Sequence, residues 1–180
     1  MGRYPSKADK MKAEKKYYKT KYHPQYNLSK ANIKLYHQIL SLDVSTIFEF
    51  GCNTGRHLHR LRGMGYEVSG MDINKDFVRS CIQNDLDVKN GDENKLNRYD
   101  DSQFDLIFTN SVLCHMDSRS AKKAIRELKR IGYKYLLAFE CTSKDNDFWW
   151  IHDYKDFETI LTEKSHRIGS ATYELMICEL

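Results

Sequence analysis

No apolar run in this chain of 180 residues approaches the length of a membrane span, and a helix needs about 20 apolar residues in succession to cross a bilayer. The opening Met1-Gly-Arg-Tyr-Pro-Ser6 also lacks the apolar segment of a secretory signal. No membrane partner and a cytoplasmic location are therefore expected. No Cys-x-x-Cys pair occurs among Cys52, Cys81, Cys114, Cys141 and Cys178, which points to reduced, buried thiols rather than to disulfides or zinc ligands. The seven histidines form no His-x-x-x-His helix and lie near no thiolate pair, so no metal site is expected. At this length one domain buries a sizeable core, and there is little chain for a second.

What is present is concentrated in two stretches. Ile47-Phe-Glu-Phe-Gly-Cys-Asn-Thr-Gly-Arg56 reads as an apolar strand running into a glycine-bearing turn that opens a helix. Val68-Ser-Gly-Met-Asp-Ile-Asn74 is a second strand, ending in an acid 21 residues after Gly51. Such a unit holds a nucleotide-type cofactor at the carboxyl edge of a parallel sheet: glycine admits the ligand, the helix N-terminus supplies donors, and the acid takes a ribose diol. A dinucleotide fingerprint needs glycine where the chain has Gly51, Asn53 and Arg56, so two of its three positions fail. An acid-x-Gly-x-Gly-x-Gly pattern instead falls on Glu49, Gly51, Asn53 and Gly55 and matches at three of four positions. Asparagine tolerates left-handed backbone angles better than other non-glycine residues, so the turn is expected to survive at Asn53.

Strands and helices alternate after residue 44. Strands are expected at Thr46 to Gly51, Tyr66 to Ile73, Asp87 to Gly91, Phe104 to Thr109 and Tyr133 to Cys141. Helices are expected at Gly55 to Met64, Lys75 to Asn84, Ser118 to Ile131 and Tyr154 to Glu163, with a last hairpin joining His166–Gly169 to Ala171–Leu180. Strands joined in this way imply an α/β fold: a doubly wound, mostly parallel seven-stranded sheet with helices on both faces and a C-terminal antiparallel hairpin.

On these motifs the chain resembles the class I S-adenosylmethionine-dependent methyltransferases from about Ser45 to the C-terminus. Glu49-Phe-Gly-Cys-Asn-Thr-Gly55 resembles the family's first motif, Asp72 its ribose-binding acid, Gly91-Asp-Glu93 the segment that meets adenine, and Phe104–Asn110 its fourth strand. Ser111-Val-Leu-Cys-His115 resembles the segment beneath the sulfonium and methyl. The resemblance implies S-adenosyl-L-methionine as cofactor, held by Glu49, Gly51, Cys52, Asn53, Gly55, Arg56, Asp72, Ile73, Asp92, Glu93, Asn110 and Ser111. It also implies two segments, a basic, tyrosine-rich helical arm or lid over residues 1–44 and the cofactor-binding core over 45–180.

The acceptor is less legible. His115 would sit near the methyl, and after strand five Trp149 and Trp150 would wall a pocket in which His152 and Asp153 orient or deprotonate a hydroxyl or amine. Against this, both tryptophans serve equally well as core packing and Asp153 as a helix cap. His57 and His59 read as surface or packing residues. No Asn-Pro-Pro-Tyr motif follows strand four, where the chain reads Thr109-Asn-Ser-Val112, which argues against a base amine as acceptor. The first 40 residues carry nine lysines and one arginine against Asp9 and Glu14, net +8 beside +4 for the whole chain. Interleaved tyrosines suit single-stranded nucleic acid, although a solvated lysine face with tyrosines packed on the sheet explains them as well. By analogy Tyr18, Tyr22 or Tyr26 would close over the methionine end. The leading expectation is an enzyme methylating a small-molecule hydroxyl or amine, of a sugar or metabolite. The alternatives are an RNA methyltransferase guided by the arm and a non-catalytic cofactor-binding module.

Overall fold

The computed structural model describes residues 30–143, 152, 154, 159–168 and 171–180. Helix α1 (Lys30–Ser41) leads into β1 (Thr46–Phe50), α2 (Arg56–Gly63), β2 (Glu67–Asp72), α3 (Lys75–Gln83) and β3 (Asp87–Asn90). A 3-10 turn at Glu93–Arg98, β4 (Phe104–Asn110) and a second 3-10 turn at Leu113–His115 follow. The remainder is α4 (Ser118–Ile131), β5 (Gly132–Cys141), β6 (Thr159–Ile168) and β7 (Ala171–Glu179).

The strands form one sheet in the order β3-β2-β1-β4-β5-β7-β6. The pairs from β3 to β5 are parallel, whereas β7 runs antiparallel to both β5 and β6. This is the doubly wound, seven-stranded sheet with a terminal hairpin that the alternation of elements predicts. Both faces are covered, so the apolar residues of the central strands alternate between two cores. Ile47 packs on the face of α1, α2 and α3 with Leu35, Ile39, Leu58, Leu61 and Val78. Phe48 and Phe50 pack on the face of α4 with Ala124, Leu128 and Ile131. Helix α4 starts where the Asp117 carboxylate accepts from the Arg119 and Ser120 backbone N–H groups at 2.9 Å each, and α3 is capped in the same way by Asn74.

Two expectations change. Thr159–Ile168 is a strand, so the helix predicted over Tyr154 to Glu163 does not exist in its second half. Strand pairing overrides local helix preference there: β7 supplies an antiparallel partner from Ala171 to Cys178, with register shifts between Thr159 and Leu161 and between Glu163 and His166. The hairpin is correspondingly longer than His166 to Leu180. Helix α1, expected within an arm, packs in the main core, since Leu35, Tyr36, Ile39 and Leu40 are all buried with the sheet. Residues 1–29 of that arm lie outside the described residues.

All five cysteines are free and buried. No helix among the described residues is long and apolar enough to cross a membrane. Among the described residues no group of three or more His, Cys, Asp or Glu side chains could hold a metal ion.

Candidate active site

The strand order reverses between β1 and β4, and the crevice outside the carboxyl ends of strands at such a point is where open α/β sheets take ligands. A cavity of about 830 Å³ lies there, walled by the segments that follow β1, β2, β3 and β4.

The turn after β1 is fixed by backbone bonds to β2. Gly51 N–H and Cys52 N–H both donate to the Met71 carbonyl, at 2.8 and 3.0 Å. Gly51 has φ +76°, and a Cβ there would lie 2.3 Å from Cγ2 of Val112 across the cavity floor. Asn53 has φ +50°, the left-handed conformation its place in the motif requires, and its side-chain oxygen accepts from Thr54 N–H at 2.7 Å. The Asp72 carboxylate ties the turn to the end of β2, accepting from Asn53 N–H at 2.7 Å through Oδ2 and from Asn74 N–H at 2.8 Å through Oδ1.

Glu49 is the least comfortable group in the wall. It is 1% exposed, and its Oε2 has no hydrogen-bond partner. Burial pushes its carboxyl well above the usual range, while Arg56 opposes and Asp72 adds to the shift. An unpaired buried carboxylate oxygen is costly unless a cationic donor meets it.

The opposite wall is the loop after β4. Glu140, fully buried at the end of β5, accepts from Val112 N–H at 3.0 Å, from Cys114 N–H at 3.3 Å and from the Thr109 hydroxyl at 2.8 Å. Burial raises its pKa, and the N–H groups of Val112, Cys114 and Leu113 and the Thr109 hydroxyl pull it back. The loop is thus held before any ligand arrives, with Ser111 at φ +58° and the exposed His115 at the cavity. Ile73, 74% exposed, and Phe77, Asp92 and Glu93 also line the cavity. Asp92 also accepts from Asn94 N–H at 2.9 Å.

Of the residues singled out in the sequence, Glu49, Gly51, Cys52, Asn53, Arg56, Asp72, Ile73, Asp92, Glu93, Asn110, Ser111 and His115 line this cavity. Gly55 does not. It precedes α2 with φ +75°, and a Cβ there would lie 2.3 Å from Cδ1 of Leu86, so its smallness serves the packing behind the loop. His152 is likewise not in the lining. Its Nε2 bonds the Leu113 carbonyl at 2.7 Å, which ties it to the 3-10 turn instead of to the cavity. Tyr22, Trp149, Trp150 and Asp153 lie outside the described residues.

His57, expected at the surface or in packing, belongs to the site. It is 5% exposed and lines the cavity from the first turn of α2. Its position directly after Gly55-Arg56 was the available signal.

Residues 48–133 match the family model of a methyltransferase domain. Among curated proteins no sequence match was found. Solved structures share the fold. A protein from Pyrococcus horikoshii OT3 is 16% identical, with TM-score 0.65 over 91% of this chain and 98% of that one. A SAM-dependent methyltransferase from Archaeoglobus fulgidus is 14% identical, with TM-score 0.63 over 82% and 92%. Magnesium protoporphyrin IX methyltransferase from Synechocystis PCC 6803, solved with bound SAH, is 15% identical, with TM-score 0.65 over 82% and 80%.

Proposed function

We propose, for a chain whose residues 48–133 form a class I S-adenosylmethionine-dependent methyltransferase domain, that the cavity takes S-adenosyl-L-methionine together with a small-molecule acceptor and methylates a hydroxyl or amine of a sugar or metabolite. The observation that carries the reading is Glu49 Oε2, buried in the cavity wall without a partner. The α-ammonium of a methionine end supplies the cationic donor that this oxygen lacks. Asp72 and Asp92 keep lone pairs beyond those used by backbone N–H groups, enough for the ribose hydroxyls and the adenine amino group.

The size and charge of the cavity support a small acceptor. Its volume lies in the range of pockets that enclose small molecules. Among the described residues Asp72, Asp92, Glu93 and Asp117 line it against the one guanidinium of Arg56, and the field of this lining repels a polyanion.

The bound cofactor supplies a methyl group on a sulfonium, with a neutral thioether as leaving group. The protein's work is then alignment and the removal of one proton. Asp72, Asp92 and Glu49 fix the donor, the Glu140-held loop faces it, and His115 takes the proton from the acceptor.

Glu49→Gln tests the central observation by calorimetry with S-adenosylmethionine. Losing one charge-assisted bond worth roughly 1.5–3 kcal/mol should weaken binding by about tenfold or more. Stability should move the other way. Burial raises the carboxyl's pKa in the folded state, so its contribution is full below the ordinary value of about 4.3 and is lost as pH rises through the raised value. The ligand-free variant should therefore melt a few degrees above the unaltered protein at neutral pH, since an unsatisfied buried group costs about 1–3 kcal/mol. That difference should close toward pH 4. Unchanged affinity with unchanged melting would remove the reading.

A further inference from the structure

His57 stands in the cavity wall between two elements that the cofactor-holding residues do not join. Its Nδ1 meets the Tyr36 hydroxyl of α1 at 2.5 Å, and its Nε2 meets Asn110 Nδ2, at the end of β4, at 3.0 Å. Arg56 Nη2 lies 3.4 Å from the same Nε2. A guanidinium can only donate, so Nε2 is an acceptor and the ring hydrogen sits on Nδ1, donated to Tyr36 Oη. That tautomer in turn requires Asn110 to present its NH₂ to the ring. The Asn110 carbonyl oxygen then faces away from His57 and accepts from the Ser111 hydroxyl at 3.2 Å. One of its two lone pairs is left over, in a residue that lines the cavity.

We propose that His57 is a positioning residue which acts through Asn110: it holds the carboxamide so that Oδ1, beside Ser111, accepts a hydrogen from an N–H or O–H group at the methyl-transfer end of the cavity. The proposal rests on the S-adenosylmethionine reading of the site and narrows the acceptor to a hydrogen-bond donor. The ring suits the task because it stays neutral. Burial, with Arg56 and Arg60 beside it, pushes its pKa down to about 3. The Phe108 ring meets the imidazole edge-on, with centroids 5.9 Å apart. A charged imidazolium would donate from both nitrogens and turn the Asn110 amide over.

Two measurements test this. In the unaltered protein, long-range proton–nitrogen correlation spectra should show His57 as the neutral, Nδ1-protonated tautomer from about pH 5 to about pH 8, the range in which an ordinary histidine titrates. An Nε2-protonated ring or an imidazolium in that range would overturn the proposal. The second measurement compares two probes by calorimetry. S-adenosylhomocysteine has nothing at the methyl position, whereas sinefungin carries an amine there that can donate to Asn110.

His57→Phe keeps the bulk but frees the amide. It should weaken sinefungin by about tenfold or more and S-adenosylhomocysteine by less than about threefold. His57→Gln, whose amide can still accept from Asn110, should recover most of the sinefungin affinity. Equal losses for both probes would make His57 a packing residue and sink the inference. Failure of the unaltered protein to bind either probe would instead remove the cofactor reading itself.

Discussion

Replacing Asp72 with alanine is expected to weaken S-adenosylmethionine binding by at least about tenfold, since each charge-assisted bond to a ribose hydroxyl is worth roughly 1.5–3 kcal/mol. The loss should be among the largest of any single change at the site, because this carboxylate has two tasks. It receives the Asn53 and Asn74 N–H groups and so shapes both cavity-lining turns before a ligand enters. Alanine removes the ligand's partner and loosens the loops together. Asp72→Asn keeps the shape but can serve only one of the two backbone donors, so it should fall between alanine and the native residue. Calorimetry on a variant that retains its circular dichroism decides the matter, and native affinity in a folded Asp72→Ala protein would end the cofactor assignment.

A second large effect is expected at Gly51. An alanine Cβ there would lie 2.3 and 2.9 Å from the two γ-carbons of Val112, at a backbone φ of +76°. The left-handed angle costs an L-residue roughly 1–2 kcal/mol and the overpacking about 1–3 kcal/mol more. For a chain of this size the sum corresponds to a fall in melting temperature of roughly 5–15 °C. Adding Val112→Ala should recover only the steric share, leaving the backbone cost behind. A Gly51→Ala protein that melts within about 2 °C of native would show that the turn does not adopt this conformation.

The parts of the fold legible in the sequence are those whose signal is local. Strands β1 and β4 are short, largely apolar runs bounded by turn residues, and α4 carries its own cap and its own apolar face. Strand β6 has helix-like local sequence in part, but its partner β7 decides its state, and pairing is invisible to a window of ten residues. The same division runs through the site. Glu49, Gly51, Asn53 and Asp72 stand at spacings that a nucleotide loop imposes. The buried role of His57 depends on Tyr36, 21 positions earlier, and Asn110, 53 positions later. Glu140, which holds the loop after β4, reads in sequence only as one acid in an apolar strand.

The bonds within that loop also define what chemistry it can support. From Ser111 to Met116 five of the six backbone N–H groups are already engaged: Ser111 with the Phe139 carbonyl, Val112 and Cys114 with Glu140, His115 with the Val112 carbonyl and Met116 with that of Leu113. Acyl transfer and hydrolysis need such N–H groups aimed at a developing oxyanion, and five of the six here already point to protein acceptors. It suits a reaction in which positive charge disperses and no oxyanion has to be stabilised.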